Sequence, residues 1–140
     1  MQTMAIFYPM IVLVLWTFAV LLMVPFRRFR AGRQRLVGVK DFAFGESENV
    51  PGEVRIPNRN YMNLLELPVL FYAACIVLYV TAKVDALGLG LAWAFVALRV
   101  AHSAVHLTYN HVIHRMRWFA ASVAVLLFLW IRLAFVLVSG

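Results

Sequence analysis

Apolar residues fill four long tracts, about 6–26, 59–82, 87–110 and 117–138, and the polar residues gather between them. Each tract reaches the roughly 20 helical residues that cross a hydrocarbon layer of about 30 Å. The pattern therefore predicts an all-α membrane protein, a bundle of four transmembrane helices in a single domain over residues 1–140. The first tract has no basic segment before it and no small-residue cleavage site after it, and it is too long for a leader, so it reads as a retained span. The stretch KVDALG between the second and third tracts is so short that those spans must be antiparallel neighbours. The segment 27–58 mixes RRFRAGRQR with GESENVPGEVRIP and shows no helical apolar period. It is expected to begin as a short interfacial helix and continue as irregular loop.

Composition strengthens the membrane assignment, because 64% apolar residues exceed what a soluble core of 140 residues could hide. A net charge of +7 raises the question of nucleic acid, and the position of the charge answers it. Eight of the thirteen basic residues, Arg27, Arg28, Arg30, Arg33, Arg35, Lys40, Arg55 and Arg59, lie between the first two spans. A loop flanked by spans meets anionic lipid headgroups or an anionic ligand rather than a duplex, so no nucleic-acid partner is expected. The segment 111–117 has two basic residues and the hairpin 83–86 has one, which predicts that the long loop faces the cytoplasm and both termini face away from it. Cys75, the single cysteine, has no partner for a disulfide and reads as a small packing residue. Trp16, Trp93, Trp118 and Trp130 read as interface anchors and lipid-facing bulk.

Three charged residues remain inside the spans: Glu66, Arg99 and Arg132. Each costs about 2.5–3.5 kcal/mol at mid-helix, so none is expected to face lipid unpaired. Arg132 is placed to snorkel toward the far interface. At 100° per residue, Arg59, Asn63 and Glu66 fall within an arc of roughly 60° on the second span. Arg99, His102, His106 and Tyr109 fall within roughly 80° on the third. Counted from the cytoplasmic helix ends, Glu66 and His102 lie about 10 Å deep and Arg99 about 15 Å, so Glu66 is expected to pair with Arg99 or His102. Polar residues in a membrane often only hold helices together. Seven stacked beside a basic loop exceed that need and point to a hydrated cavity that accepts an anion. Pro68 is expected to loosen the second helix beside the cluster. His102, His106, His111 and His114 cluster in sequence, but no carboxylate beyond Glu66 is placed to complete a ligand set, and no metal site is expected.

The combination Arg59-x-x-x-Asn63-x-x-Glu66-x-Pro68, then Arg99-Val-Ala-His102, then Arg115 and Arg117, resembles the MAPEG family, the membrane-associated proteins of eicosanoid and glutathione metabolism. The resemblance covers the span count, the long first loop, the short hairpin and both motifs. It implies a homotrimer that binds glutathione between subunits near the cytoplasmic face of a bacterial inner membrane or its equivalent. Arg59, Asn63, Glu66 and Arg99 would hold the tripeptide, with His102, His106 and Tyr109 lining the same stripe. Arg27, Arg28 and Arg30 would reach in from the neighbouring subunit, and Arg115, with Arg117 as substitute, would approach the thiol. Glutathione carries two carboxylates and one ammonium, which suits several Arg and one Glu. A thiol of pKa about 8.5 becomes a better nucleophile when a cation stabilises its thiolate.

The resemblance thus implies a transferase or peroxidase acting on lipophilic electrophiles that arrive from the bilayer. Two departures stand against it: His106 and Phe119 occupy positions where better-known members carry a Tyr or another hydrogen-bonding aromatic. They favour an alternative in which the same pocket serves a non-catalytic module that binds an anionic lipid or a protein partner. A small multidrug transporter would place its carboxylate on the first span, and here that span is uncharged.

Overall fold

The computed structural model describes residues Thr3–Ser139. A short 3-10 turn, Thr3–Ile6, leads into α1 (Phe7–Arg33), and another, Val39–Phe42, interrupts the basic loop. α2 (Gly52–Glu66) and α3 (Pro68–Val80) together form the second span, followed by α4 (Ala86–Leu107) and α5 (Val112–Ser139). Four helices are long and apolar enough to cross a membrane: Met4–Arg33, Gly52–Val80, Ala86–Leu107 and Val112–Ser139.

Their outer faces carry large exposed apolar side chains, among them Phe18, Leu22, Phe26, Leu70, Phe128 and Phe135. Only lipid or another apolar surface can cover such a face. The inner faces are narrow. On α1 the buried positions are Pro9, Leu13, Val20, Val24 and Ala31, spaced four and seven apart, so they share one stripe. Of these, Leu13 and Val20 pack with Phe71, Phe95, Leu126, Leu129 and the fully buried Cys75 in one continuous core. The rings of Phe71 and Phe95 stack with centroids 4.7 Å apart.

Three spans run further than the tract boundaries predict, α5 by five residues at its start, Val112 against the expected 117. α1 continues through the first arginines to Arg33, since Arg is a good helix former and Ala31 extends the buried stripe. α2 starts at Gly52, seven residues ahead of the expected 59. The short interfacial helix expected after the first span is therefore the last two turns of α1. The rest of the loop is anchored rather than loose: Val50 and Val54 bury against Ala31, with Val37 and Phe42 alongside. Asp41 accepts from the Gly38 amide at 2.7 Å and from the Ser47 hydroxyl at 2.8 Å, which hold its carboxyl below the usual carboxylate range.

The second span does loosen at Pro68, which lacks the amide for the helical ladder. Leu67 keeps helical backbone angles, φ −63° and ψ −40°, so the span continues with a local interruption. Trp130 Nε1 donates to the Leu70 carbonyl at 3.1 Å just beyond it. Trp16 Nε1 likewise donates to Ser103 at 2.9 Å, and Asn60 Nδ2 donates to the same hydroxyl at 2.5 Å. The reading of all four tryptophans as anchors and bulk is corrected for these two, which bond between helices. One serine thus joins α1, α2 and α4.

Arg132 has a partner at the hairpin end, where its guanidinium pairs with Asp85. Asp85 is also the N-cap of α4, accepting from the Gly88 amide at 2.8 Å. A side chain on Gly88 would meet both groups, at 3.1 Å from Asp85 Oδ1 and 3.4 Å from Arg132 Nη1. Asp85→Ala is expected to cost about 1 kcal/mol for the lost cap, with a smaller increment for the ion pair because the Asp85 side chain is half exposed. Thermal unfolding in detergent measures it.

Candidate functional site

At the end of the bundle that carries the basic loop, α2, α4 and α5 part to form a groove of about 490 Å3. α2 contributes Arg59, Asn63 and Glu66, three turns of one face, as helical spacing requires. α4 contributes His102 and His106, one turn apart and both buried, and α5 contributes Arg115. Met62, Val112 and Met116 form an exposed apolar lip along the same groove, with Phe119 beside them. The site therefore sets a charged trough against a surface that a lipid-soluble molecule can touch.

Arg99 does not itself line the groove but lies behind it, against Asn63 and Phe119, which do. Its side chain is wholly buried, donates from Nη2 to the Asn63 carbonyl at 2.5 Å, and lies 5.5 Å from the centroid of the Phe119 ring. Asn63 sits in the last turn before Pro68, where the ladder is interrupted, and its amide donates back to the Arg59 carbonyl at 3.0 Å. The expected ion pair between Glu66 and Arg99 or His102 is corrected here: no carboxylate oxygen of Glu66 lies within 4.0 Å of either, among the described residues. Glu66 stays exposed in the protomer, in the lining of the groove. Arg99 is already buried, so pairing would have required desolvating Glu66 as well.

Arg115 is fixed from two directions. Its Nη1 donates to Asn110 Oδ1 at 2.8 Å, and its backbone carbonyl receives the Nδ1 proton of His102 at 2.9 Å. Asn110 is suited to its place because it adopts φ +46°, a left-handed conformation that Asn tolerates, between α4 and α5. It closes the end of α4 and aims the arginine at once. Sequence pattern alone missed Asn110, along with Asn58, Met62, Val112 and Met116 of the lining. The Asn in a two-helix turn was the available signal.

Several buried polar atoms in this region have no protein partner: Arg99 Nε and Nη1, His102 Nε2 and His106 Nδ1. Groups of this kind are costly when unsatisfied, so they mark a place that water or a ligand fills. The remaining sequence-predicted residues lie elsewhere in the protomer. Tyr109 is exposed and its hydroxyl meets His114 Nδ1 at 3.2 Å. Arg117 is exposed outside the groove. Arg27 lines a cleft with Glu53 and Thr108, and Arg30 lies on the surface of α1. Arg28 pairs with Glu46 at 3.0 Å and stacks on Phe42, 4.6 Å from the ring centroid. A larger cavity of about 780 Å3 adjoins Arg28, but its walls are chiefly apolar and it gathers no acid or imidazole.

The arrangement can bind an anion with Arg59 and Arg115, accept an ammonium at Glu66, and offer imidazole nitrogens below. A comparison with curated proteins finds no match, and a comparison with solved structures finds none. The family model described as MAPEG family matches residues 6–135, so nearly the whole chain is covered and the helices, the groove and Arg115 all fall within it. The protein is an integral membrane protein of the MAPEG family.

Proposed function

We propose that the protein is a membrane-bound glutathione-dependent transferase or peroxidase, with the tripeptide seated in the groove and lipophilic electrophiles entering over its apolar lip. The observation that carries this reading is the pairing of exposed Arg59 and Glu66 and half-buried Arg115 with buried nitrogens of His102 and His106, and of Arg99 behind them, that lack protein partners among the described residues. Glutathione matches that set, since its carboxylates suit the guanidinium groups and its ammonium suits Glu66. Arg115, or Arg117 in its place, stabilises the thiolate. Asn63, His102 and His106 complete the binding stripe, and Tyr109, beyond the end of α4, would join it only from outside the groove.

The working form is a homotrimer. Arg27, Arg28 and Arg30 do not line the groove of their own protomer, and an adjacent subunit would bring them to its open side. The chain sits in a bacterial inner membrane or an equivalent membrane, with the basic loop and the groove on the cytoplasmic side and both termini opposite. Residues 1–140 act as a single domain. A second reading, a non-catalytic module for an anionic lipid or protein partner, draws on His106 and Phe119, which lack the hydroxyl found in better-known members.

Turnover separates the two. The purified protein in detergent is expected to conjugate glutathione to chlorodinitrobenzene, followed by absorbance. Absence of any thiol-dependent turnover with several hydrophobic acceptors would reject the catalytic reading in favour of the binding module.

A further inference from the structure

His102 is held in one tautomer by its surroundings. Its Nδ1 lies 2.9 Å from the Arg115 carbonyl oxygen, which can only accept, so Nδ1 carries the proton and Nε2 of the neutral ring bears a lone pair. That Nε2 is buried, has no hydrogen-bond partner among the described residues, and belongs to a side chain in the wall of the groove. An acceptor nitrogen so placed is completed by a ligand that brings a hydrogen-bond donor, directly or through one water. The bond to Arg115 also ties the imidazole to the backbone of the residue proposed to stabilise a thiolate. Base and cation are thereby set in one frame.

The geometry points to His102 as the proton shuttle of this site, the group that takes the thiol proton and returns it to the leaving oxygen when a hydroperoxide is the acceptor. This rests on the glutathione reading above and deepens it. His102 Nε2 takes the proton from the thiol sulfur, leaving a thiolate beside Arg115. The thiolate attacks the terminal oxygen of the hydroperoxide, the O–O bond breaks, and the leaving alkoxide takes the proton from Nε2. The peroxide is reduced to an alcohol and the thiol oxidised to a sulfenic acid, which a second glutathione thiol converts to the disulfide and water. The apolar lip of Met62, Val112 and Met116 suits an acyl chain, whereas a halide leaving group would need no returned proton.

The charged and titratable groups around His102 are Arg99 and His106 on its own helix, Arg115 on α5, and Arg59 and Glu66 across the groove. Of these, His106, whose Nδ1 also lacks a partner among the described residues, and the Glu66 carboxylate are the other groups able to take a proton.

His102→Asn provides the test, because the Asn amide can still donate to the Arg115 carbonyl but cannot carry a proton. Cumene hydroperoxide reduction and chlorodinitrobenzene conjugation are followed across pH, with glutathione-induced thermal shifts as a check on binding and folding. The expected result is peroxide reduction lowered about a hundredfold at every pH, with conjugation returning to within a few-fold of the parent above the thiol's own pKa of about 8.5. Parallel loss of both reactions at alkaline pH with binding intact, an unchanged peroxide rate, or the loss appearing in His106→Asn instead would overturn the shuttle. A parent protein that binds glutathione but turns over neither acceptor overturns the catalytic reading as well, and one that shows no glutathione shift overturns the assignment of the ligand.

Discussion

Arg115→Ala is expected to lower thiol-dependent turnover by about a hundredfold while leaving the fold intact, the usual size for removing one preorganised donor from a developing anion. The residue is half-buried on α5 and only one of its five N–H donors is engaged, by Asn110. Its backbone carbonyl, which positions His102, survives the substitution. The loss should therefore fall on rate rather than on architecture, and the melting temperature should move little. Arg115→Lys should recover part of the activity, since the charge remains and the planar fork does not. Steady-state kinetics of the two variants with chlorodinitrobenzene decide it, and equal rates in parent and Arg115→Ala would remove the residue from the chemistry.

Ser103→Ala is expected to have the largest effect on stability of any single hydroxyl in the bundle. Ser103 accepts from both Trp16 and Asn60, and it and Asn60 are fully buried. Truncation leaves two donors without an acceptor, one of them, Asn60, wholly buried. Each orphan costs roughly 1–3 kcal/mol in soluble proteins, and interhelical bonds in membranes average nearer 0.6 kcal/mol, so a total of about 1–2 kcal/mol is expected. Ser122 is the internal control. It is equally buried but donates to the Phe119 carbonyl of its own helix, so Ser122→Ala should be nearly neutral. Unfolding in detergent or mixed micelles compares the two, and an equal response would show that the three-helix junction is not special.

The spans and both polar stripes were legible in the sequence because they rest on long-range periodicity. Twenty apolar residues in a row have one solution in lipid, and spacings of three, four and seven place residues on one helical face whatever their partners. Helix ends were not legible, and the reason is specific. α1, α3 and α4 each close near a residue in the left-handed region, Arg35, Ala82 and Asn110, with an amide bonded five positions back. None of the three is a glycine, the usual sign of such a stop. The arginine run after Phe26 looked like loop because its charges hid a buried stripe that Ala31 continues.

Pairings across helices were the least legible part. Glu66 and Arg99 matched in depth, yet depth does not fix which way a side chain leans. Arg99 finds the Asn63 carbonyl near the break at Pro68, while Glu66 turns to the open side of the groove. Arg132 instead meets Asp85, an acid that the sequence offered only as part of a hairpin. Ser103 gave no signal at all, since a lone serine in a span usually bonds within its own helix.

A calorimetric titration of the detergent-solubilised protein with glutathione tests the central claim, that the groove between α2, α4 and α5 is an anion-accepting site for this thiol. The account predicts saturable binding, a melting temperature that rises with glutathione by mass action, and affinity weakened at least tenfold by Arg59→Ala and by Glu66→Gln. Absence of heat and of any thermal shift at millimolar glutathione, or binding indifferent to both substitutions, would contradict it.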